Sequence, residues 1–160
     1  MAEFKTNVMR LLEQKKIKYR AYEYPHGEEA VDGVTVARIT GLNPEKVFKT
    51  LVARGASKKI YVFVIPVAME LQLKRAAKAV GEKSVAMIHV NEINALTGYV
   101  RGGCSPVGMK KLYTTVFHST AEELETMVVS AGKIGYQIEI SPDELIKLTK
   151  GFTADIAAEE

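Results

Sequence analysis

Hydrophobic and polar positions alternate with two different periods along this chain, and the change of period marks its elements. Val8, Leu11 and Leu12 share one face at helical spacing, and Thr6 stands where an N-cap belongs. "YRAYEY", residues 19–24, is aromatic-rich and reads as a strand that Pro25 ends. "HGEEAVDG" is polar and glycine-bounded, a loop. "VTVARITG" predicts a short helix stopped by Gly41, against the preference of its β-branched residues. In "NPEK" Asn43 caps and Pro44 takes the first helical position, giving one helical turn. "VFKTLVAR" and "KKIYVFVIPV" are two strands joined by "GASK". "MELQLKRAAKAVG" predicts a helix ending at Gly81, with Leu71, Ala76 and Ala79 available to a core. "SVAM" is a short strand, and "VNEINALTG" a short helix closed by Gly98. "YTTVFHS" and "ETMVVSA" are strands, with "TAEEL" a helical turn between them. "AGKIG" turns into a further strand, "YQIEI". "SPDELIKLTKG" closes as a helix with Ser141 as cap, Pro142 first inside and Gly151 at its end.

Strands and helices follow one another without the regular alternation of a doubly wound fold, and several neighbours are hairpins. The pattern predicts a single α+β domain over residues 1–160: a curved, mixed, mostly antiparallel sheet, partly closed into a barrel, flanked by helices.

Composition narrows the function classes. No apolar run is long enough to span a bilayer, and the first residues lead into an amphipathic helix rather than a secretory signal, so we expect a cytoplasmic protein without a membrane role. A single cysteine forms no internal disulfide and supplies no cysteine-based metal site. His26, His89 and His118 are scattered without metal-ligand spacing, so no cofactor is expected. The net charge of +3 permits an anionic partner but is far below that of most duplex-DNA readers.

Two places carry candidate chemistry. In "VFKTLVA" a strand puts Val47, Lys49, Leu51 and Ala53 on one face and Phe48, Thr50 and Val52 on the other. Lys49 thus interrupts an apolar face. It either snorkels to water or an acidic partner, or it is a cation aimed into a substrate pocket. "RGGCSPVG", residues 101–108, is the second place. Gly102 and Gly103 let backbone N–H groups approach an anion or a developing oxyanion, though the same residues also make an ordinary tight turn. Cys104 has no neighbouring histidine to activate its thiol, and Ser105 lacks the G-x-S-x-G elbow of serine hydrolases.

"VFKTLV", "GGCSPVGMKK", "SAGKIGYQIEISPDEL" and "YRAYEYPH" together resemble the YbaK/EbsC proteins, free-standing relatives of the editing domain inserted in bacterial prolyl-tRNA synthetases. The similarity runs from the first helix to "GFTADI". It implies a barrel-like mixed sheet with flanking helices and an aminoacyl-tRNA deacylase that clears cysteine from proline tRNA beside the synthetase. The family's functional lysine maps onto Lys49, with Thr50 beside it. The glycine loop maps onto Gly102 and Gly103, followed by Ser105 and Pro106. A pocket tyrosine maps onto Tyr24, and a late acidic residue onto Glu139 or Asp143. Cys104 stands where relatives usually carry an aliphatic residue, which argues against thiol chemistry. Ile134 stands where relatives often carry arginine, which weakens any role for a cation there in contacting RNA.

The resemblance also implies a mechanism. The substrate cysteine attacks its own carbonyl, and the protein supplies position and charge stabilisation. Two other readings remain open: a sister deacylase that removes alanine, whose members tend to carry K-N-L, and a non-catalytic tRNA or ribonucleoprotein binder.

Overall fold

A computed structural model describes residues 5–25 and 32–159. Five helices and ten strands occur among them. Helix α1 (Asn7–Gln14) is capped by Thr6, whose side chain accepts from the Met9 N–H, and it buries Val8, Met9 and Leu12. Strand β1 (Tyr19–Glu23) follows. The loop expected at residues 26–31 lies outside the described residues. Helix α2 (Gly33–Thr40) begins at an Asp32 cap and ends at Gly41, whose φ of 76° suits a residue without a Cβ. A 3₁₀ turn (Pro44–Lys46) capped by Asn43 leads into β2 (Phe48–Gly55) and β3 (Ile60–Pro66).

One expectation fails here. The helix foreseen from Met69 begins only at Leu73, as α3 (Leu73–Val80); Met69–Leu71 is a strand, β4. The reason is long-range: β4 pairs with β10 (Ala157–Glu159) at the chain's far end, and the Gln72 N–H donates to the Ile156 carbonyl. Strand β5 (Val85–Met87), helix α4 (Ile93–Thr97) and β6 (Thr114–His118) follow. Then come β7 (Met127–Ser130), β8 (Tyr136–Ile140), α5 (Pro142–Thr149) and β9 (Phe152–Ala154).

The strands form a five-stranded mixed sheet (β5-β2-β3-β6-β9), a three-stranded antiparallel sheet (β1-β8-β7) and the small β4–β10 pair. In the larger sheet the β3–β6 and β6–β9 pairs are parallel, the others antiparallel. A parallel bridge between Val47 and Val128 joins the two main sheets at one point, and the ladders do not close into a ring.

Strand β3 shows why its sequence is apolar throughout rather than alternating. Val62 and Val64 face the main core between the sheets, with Phe48, Phe117, Met127, Val129, Ile138 and Ile140. Tyr61, Phe63 and Ile65 face a second core under α3. A strand buried on both faces carries apolar residues at every position, each worth about 1.5–3 kcal/mol on full burial. A third cluster packs α2 over the seam: Ala37, Val47, Val67 and Val128. The tail is fixed by buried His118, whose Nδ1 accepts from the Ile156 N–H at 3.2 Å.

Candidate active site

Alternation along β2 places Lys49 with Val47, Leu51 and Ala53 on the face turned away from the main core, opposite Ile65 of β3. Phe48 and Val52 are buried, yet Lys49, Thr50 and Leu51 between them are only half-buried although they point to opposite faces. The ladder explains this. One edge of β2 pairs with β3 along its length. The other edge touches β7 at the Val47–Val128 bridge and is next held where the Ile88 N–H donates to the Val52 carbonyl. Among the described residues nothing pairs with that edge between the two points. The sheet wall has an opening there, and Lys49 and Thr50 stand in it.

Lys49 makes no ion pair or hydrogen bond among the described residues. The Thr50 hydroxyl oxygen is buried without a partner. The Thr50 hydroxyl departs from the rule that buried polar groups are satisfied.

The smaller sheet supplies the adjoining surface. Ile138 and Ile140 of β8 face the main core, so Gln137 and Glu139 face outward. Tyr22, Gln137 and Ser130 stand side by side across β1, β8 and β7. Ser130 follows Val128, the β7 residue of the bridge, by two positions and so lies on the same face of β7. Gln137 is only 7% exposed, and its Oε1 has no hydrogen-bond partner.

Glu139 is the opposite case. Its carboxylate accepts from the Tyr22 hydroxyl at 2.5 Å, from the Thr126 hydroxyl and from the Lys46 ammonium, which also donates to the Thr126 oxygen at 2.9 Å. Burial alone would push its pKa up. The hydrogen bonds from Lys46, Thr126 and Tyr22, with the Lys46 charge, outweigh burial and bring it to about 2. Of the two late acids expected near the pocket, Glu139 is therefore on the site's face, as an internal ion pair. Asp143 sits in the first turn of α5, exposed.

The glycine loop closes the third side. The Gly103 N–H donates to the Val100 carbonyl at 3.0 Å, making a tight turn in which Gly102 takes a φ of 87°. This corrects the expectation that Gly103 offers its N–H to a ligand. Its own glycine requirement is different: a Cβ would lie 3.0 Å from the Ile134 nitrogen and 3.2 Å from Lys133 backbone atoms. Gly103 thus lets the loop lie directly on the turn between β7 and β8, beside Ser130 and Gln137. The amides of Gly102 and Cys104 have no acceptor among the described residues.

Ser105 and Pro106, expected to touch substrate, are buried instead. The Ser105 hydroxyl accepts from the Val107 N–H at 3.2 Å, and Val107 is anchored in the main core. Their side chains shape the loop from within. Cys104 is buried too, and burial pushes its thiol up to about 12, only partly offset by a hydrogen bond with Thr97. It stays a protonated thiol near neutrality, which removes it as a nucleophile. Tyr24 is 4% exposed, and its N–H donates to the Gly135 carbonyl at 2.9 Å, so it flanks the same turn. Ile134 is also buried.

The structure thus places Lys49 and Thr50 at the gap along the β2 edge, and Tyr24 and Gly103 both against the turn between β7 and β8. Sequence reading missed Tyr22, Lys46, Ser130 and Gln137. Gln137 stands at an outward-reading position of "YQIEI", where a polar residue is ordinary, so the sequence carried no signal for it.

Comparison with known proteins shows the family. The family model of the aminoacyl-tRNA editing domain matches residues 28–148. EbsC of Enterococcus faecalis, described as a proposed Cys-tRNA(Pro)/Cys-tRNA(Cys) deacylase, is 44% identical over 98% of this chain and 95% of its own. Two solved structures share the fold. The hypothetical protein APE2540 has a TM-score of 0.84 at 23% identity, covering 96% of this chain and 100% of its own. A proposed trans-editing enzyme for prolyl-tRNA synthetase has a TM-score of 0.80 at 22% identity, covering 99% of each chain. With most of its length matched by the family model and by a relative of this identity, the chain belongs to the aminoacyl-tRNA editing domain family.

Proposed function

We propose that this protein is a trans-editing deacylase that removes cysteine from mischarged Cys-tRNA(Pro). The observation that carries the proposal is Lys49: a half-buried lysine whose ammonium has no partner among the described residues, at a gap in the pairing of its strand, in a family of editing domains. The relative of Enterococcus faecalis, by its name, points to the same substrate. The partners are the 3′ acceptor end of the tRNA and prolyl-tRNA synthetase, and the compartment is the cytoplasm, where tRNA is charged. No helix among the described residues is long and apolar enough to cross a membrane.

Among the described residues no side chain at the opening is a strong nucleophile. The Cys104 thiol is held protonated and the Ser105 hydroxyl is buried. An aminoacyl ester is already activated, and cysteine brings its own thiol. In the proposed step that sulfur attacks the carbonyl carbon, a carbon–sulfur bond forms, and the bond to the ribose oxygen breaks. The thiol proton ends on the ribose hydroxyl, and water later opens the cyclic thioester to free cysteine. Lys49 neutralises the oxyanion or the neighbouring phosphate, and the Gly102 and Cys104 amides orient the carbonyl. Serine, a poorer nucleophile, and alanine, which has none, are thereby rejected. Tyr24 and Thr50 line the approach.

Side-by-side turnover of cysteinyl-, seryl- and alanyl-tRNA(Pro), with and without prolyl-tRNA synthetase, tests the proposal. Cysteinyl-tRNA(Pro) should be strongly preferred, and S-methylation of its side chain should stop the reaction. Rapid hydrolysis of the S-methylated substrate would mean direct attack by water, the alanine-type route. Failure to hydrolyse any of them would leave a non-catalytic binder.

A further inference from the structure

The Gln137 side chain is the largest polar anomaly on the outer face of the smaller sheet. It is 7% exposed and its carbonyl oxygen has no donor. A buried acceptor left unsatisfied costs free energy, so its presence calls for a donor that the described residues do not supply. Its surroundings say what kind. Gln137 lies beside Ser130 across one strand spacing, and Ser130 stands two residues after Val128, which bridges to Val47 on the strand that carries Lys49.

The reacting end of an aminoacyl-tRNA carries two charged features: phosphate oxygens and a developing oxyanion on one side, and an α-ammonium on the other. Lys49 suits the first and repels the second. The ammonium therefore needs an acceptor on the far side of the carbonyl. That acceptor should be neutral, because a free carboxylate within reach would pair with Lys49 and quench it. The nearby carboxylate of Glu139 is already held by Lys46, Thr126 and Tyr22.

We infer that Gln137 forms an α-ammonium subsite, its side-chain carbonyl accepting a hydrogen bond from the amino group of the aminoacyl moiety. This rests on the deacylase reading for the identity of the ligand, and it adds a specificity residue to it. The ammonium is bound alike before and during reaction, so the subsite acts on KM more than on kcat.

Binding of a non-hydrolysable 3′-cysteinylamido-adenosine, compared with its analogue lacking the α-amino group, is the test. Wild type should bind the amino form about 10–100-fold more tightly, the range for a hydrogen bond to a charged group. In Gln137→Met the two should bind alike. Its melt should match or exceed that of wild type, because an apolar side chain of similar size replaces an orphan polar one. Equal binding of the two analogues by wild type would overturn the inference, as would a Gln137→Met protein that keeps the full preference. A clear preference in wild type, lost in the variant, would uphold the subsite even if no aminoacyl-tRNA were hydrolysed, and that last result would strike the deacylase reading alone.

Discussion

Two lysines three residues apart, at the entrance to and inside the same strand, have opposite fates. Lys46 ends in a carboxylate, two hydroxyls complete the cluster, and the Glu139 carboxyl is held at about 2. Lys49 ends among no partners at an opening in the sheet. The difference teaches how to sort polar residues in a fold of this kind. A polar group whose partners are all supplied by the chain holds the chain together. A polar group left without one among the described residues, like half-buried Lys49 or the buried Gln137 oxygen, marks a place for a ligand to supply the rest.

The sharpest way to break this comparison is to remove each ammonium in turn. Lys49→Ala should lower cysteinyl-tRNA(Pro) deacylation by about 10²–10³, as for loss of one stabilising donor, with an unchanged melt. A normal rate in a folded Lys49→Ala protein would return it to the class of lysines that merely reach for water. Next comes Gly103→Val. Its side chain would run into the Lys133–Ile134 backbone, which cannot rotate away, so the loop and its amides must shift. A loss of about tenfold or more in rate is expected, with a lowered melt.

Lys46→Met should show the reverse of Lys49→Ala. It should cost about 2 kcal/mol in denaturant unfolding, between the values for exposed and fully buried pairs, and leave deacylation nearly intact. The pH dependence sharpens it further. The folded-state pKa of Glu139, about 2, lies below its ordinary 4.5. Its stabilisation is thus complete above about pH 5 and is lost as pH falls toward 2. Without Lys46 the folded pKa rises, so acid unfolding profiles of the variant should lose less stability across that window. The smallest effect belongs to Cys104→Ser, which should stay within a few-fold of wild-type rate. In native wild type the thiol, pushed up to about 12, should resist iodoacetamide at pH 8. A covalent aminoacyl adduct on Cys104 would contradict both.

Local chemistry determined much of this molecule. Thr6, Asn43 and Gly41 act where capping rules put them, because a helix end is settled by a few neighbouring atoms. Strand periodicity put Lys49 on an apolar face before any partner strand was known, because alternation is a property of the single strand. What depended on distant parts of the chain was not legible. Met69–Leu71 is a strand only because Ala157–Glu159 returns to pair with it. The opening beside Lys49 exists because β7 meets β2 at one bridge and then leaves it, which no local pattern encodes. Whether a polar side chain is satisfied was likewise decided in three dimensions. Glu139 found Lys46 across 93 residues, while the side-chain oxygen of Gln137, two positions away on the same face, found no donor among the described residues. Caps and periods are short-range and appear in the sequence itself; partners are chosen by the packing of elements far apart along the chain, and only the folded sheet shows which of them are missing.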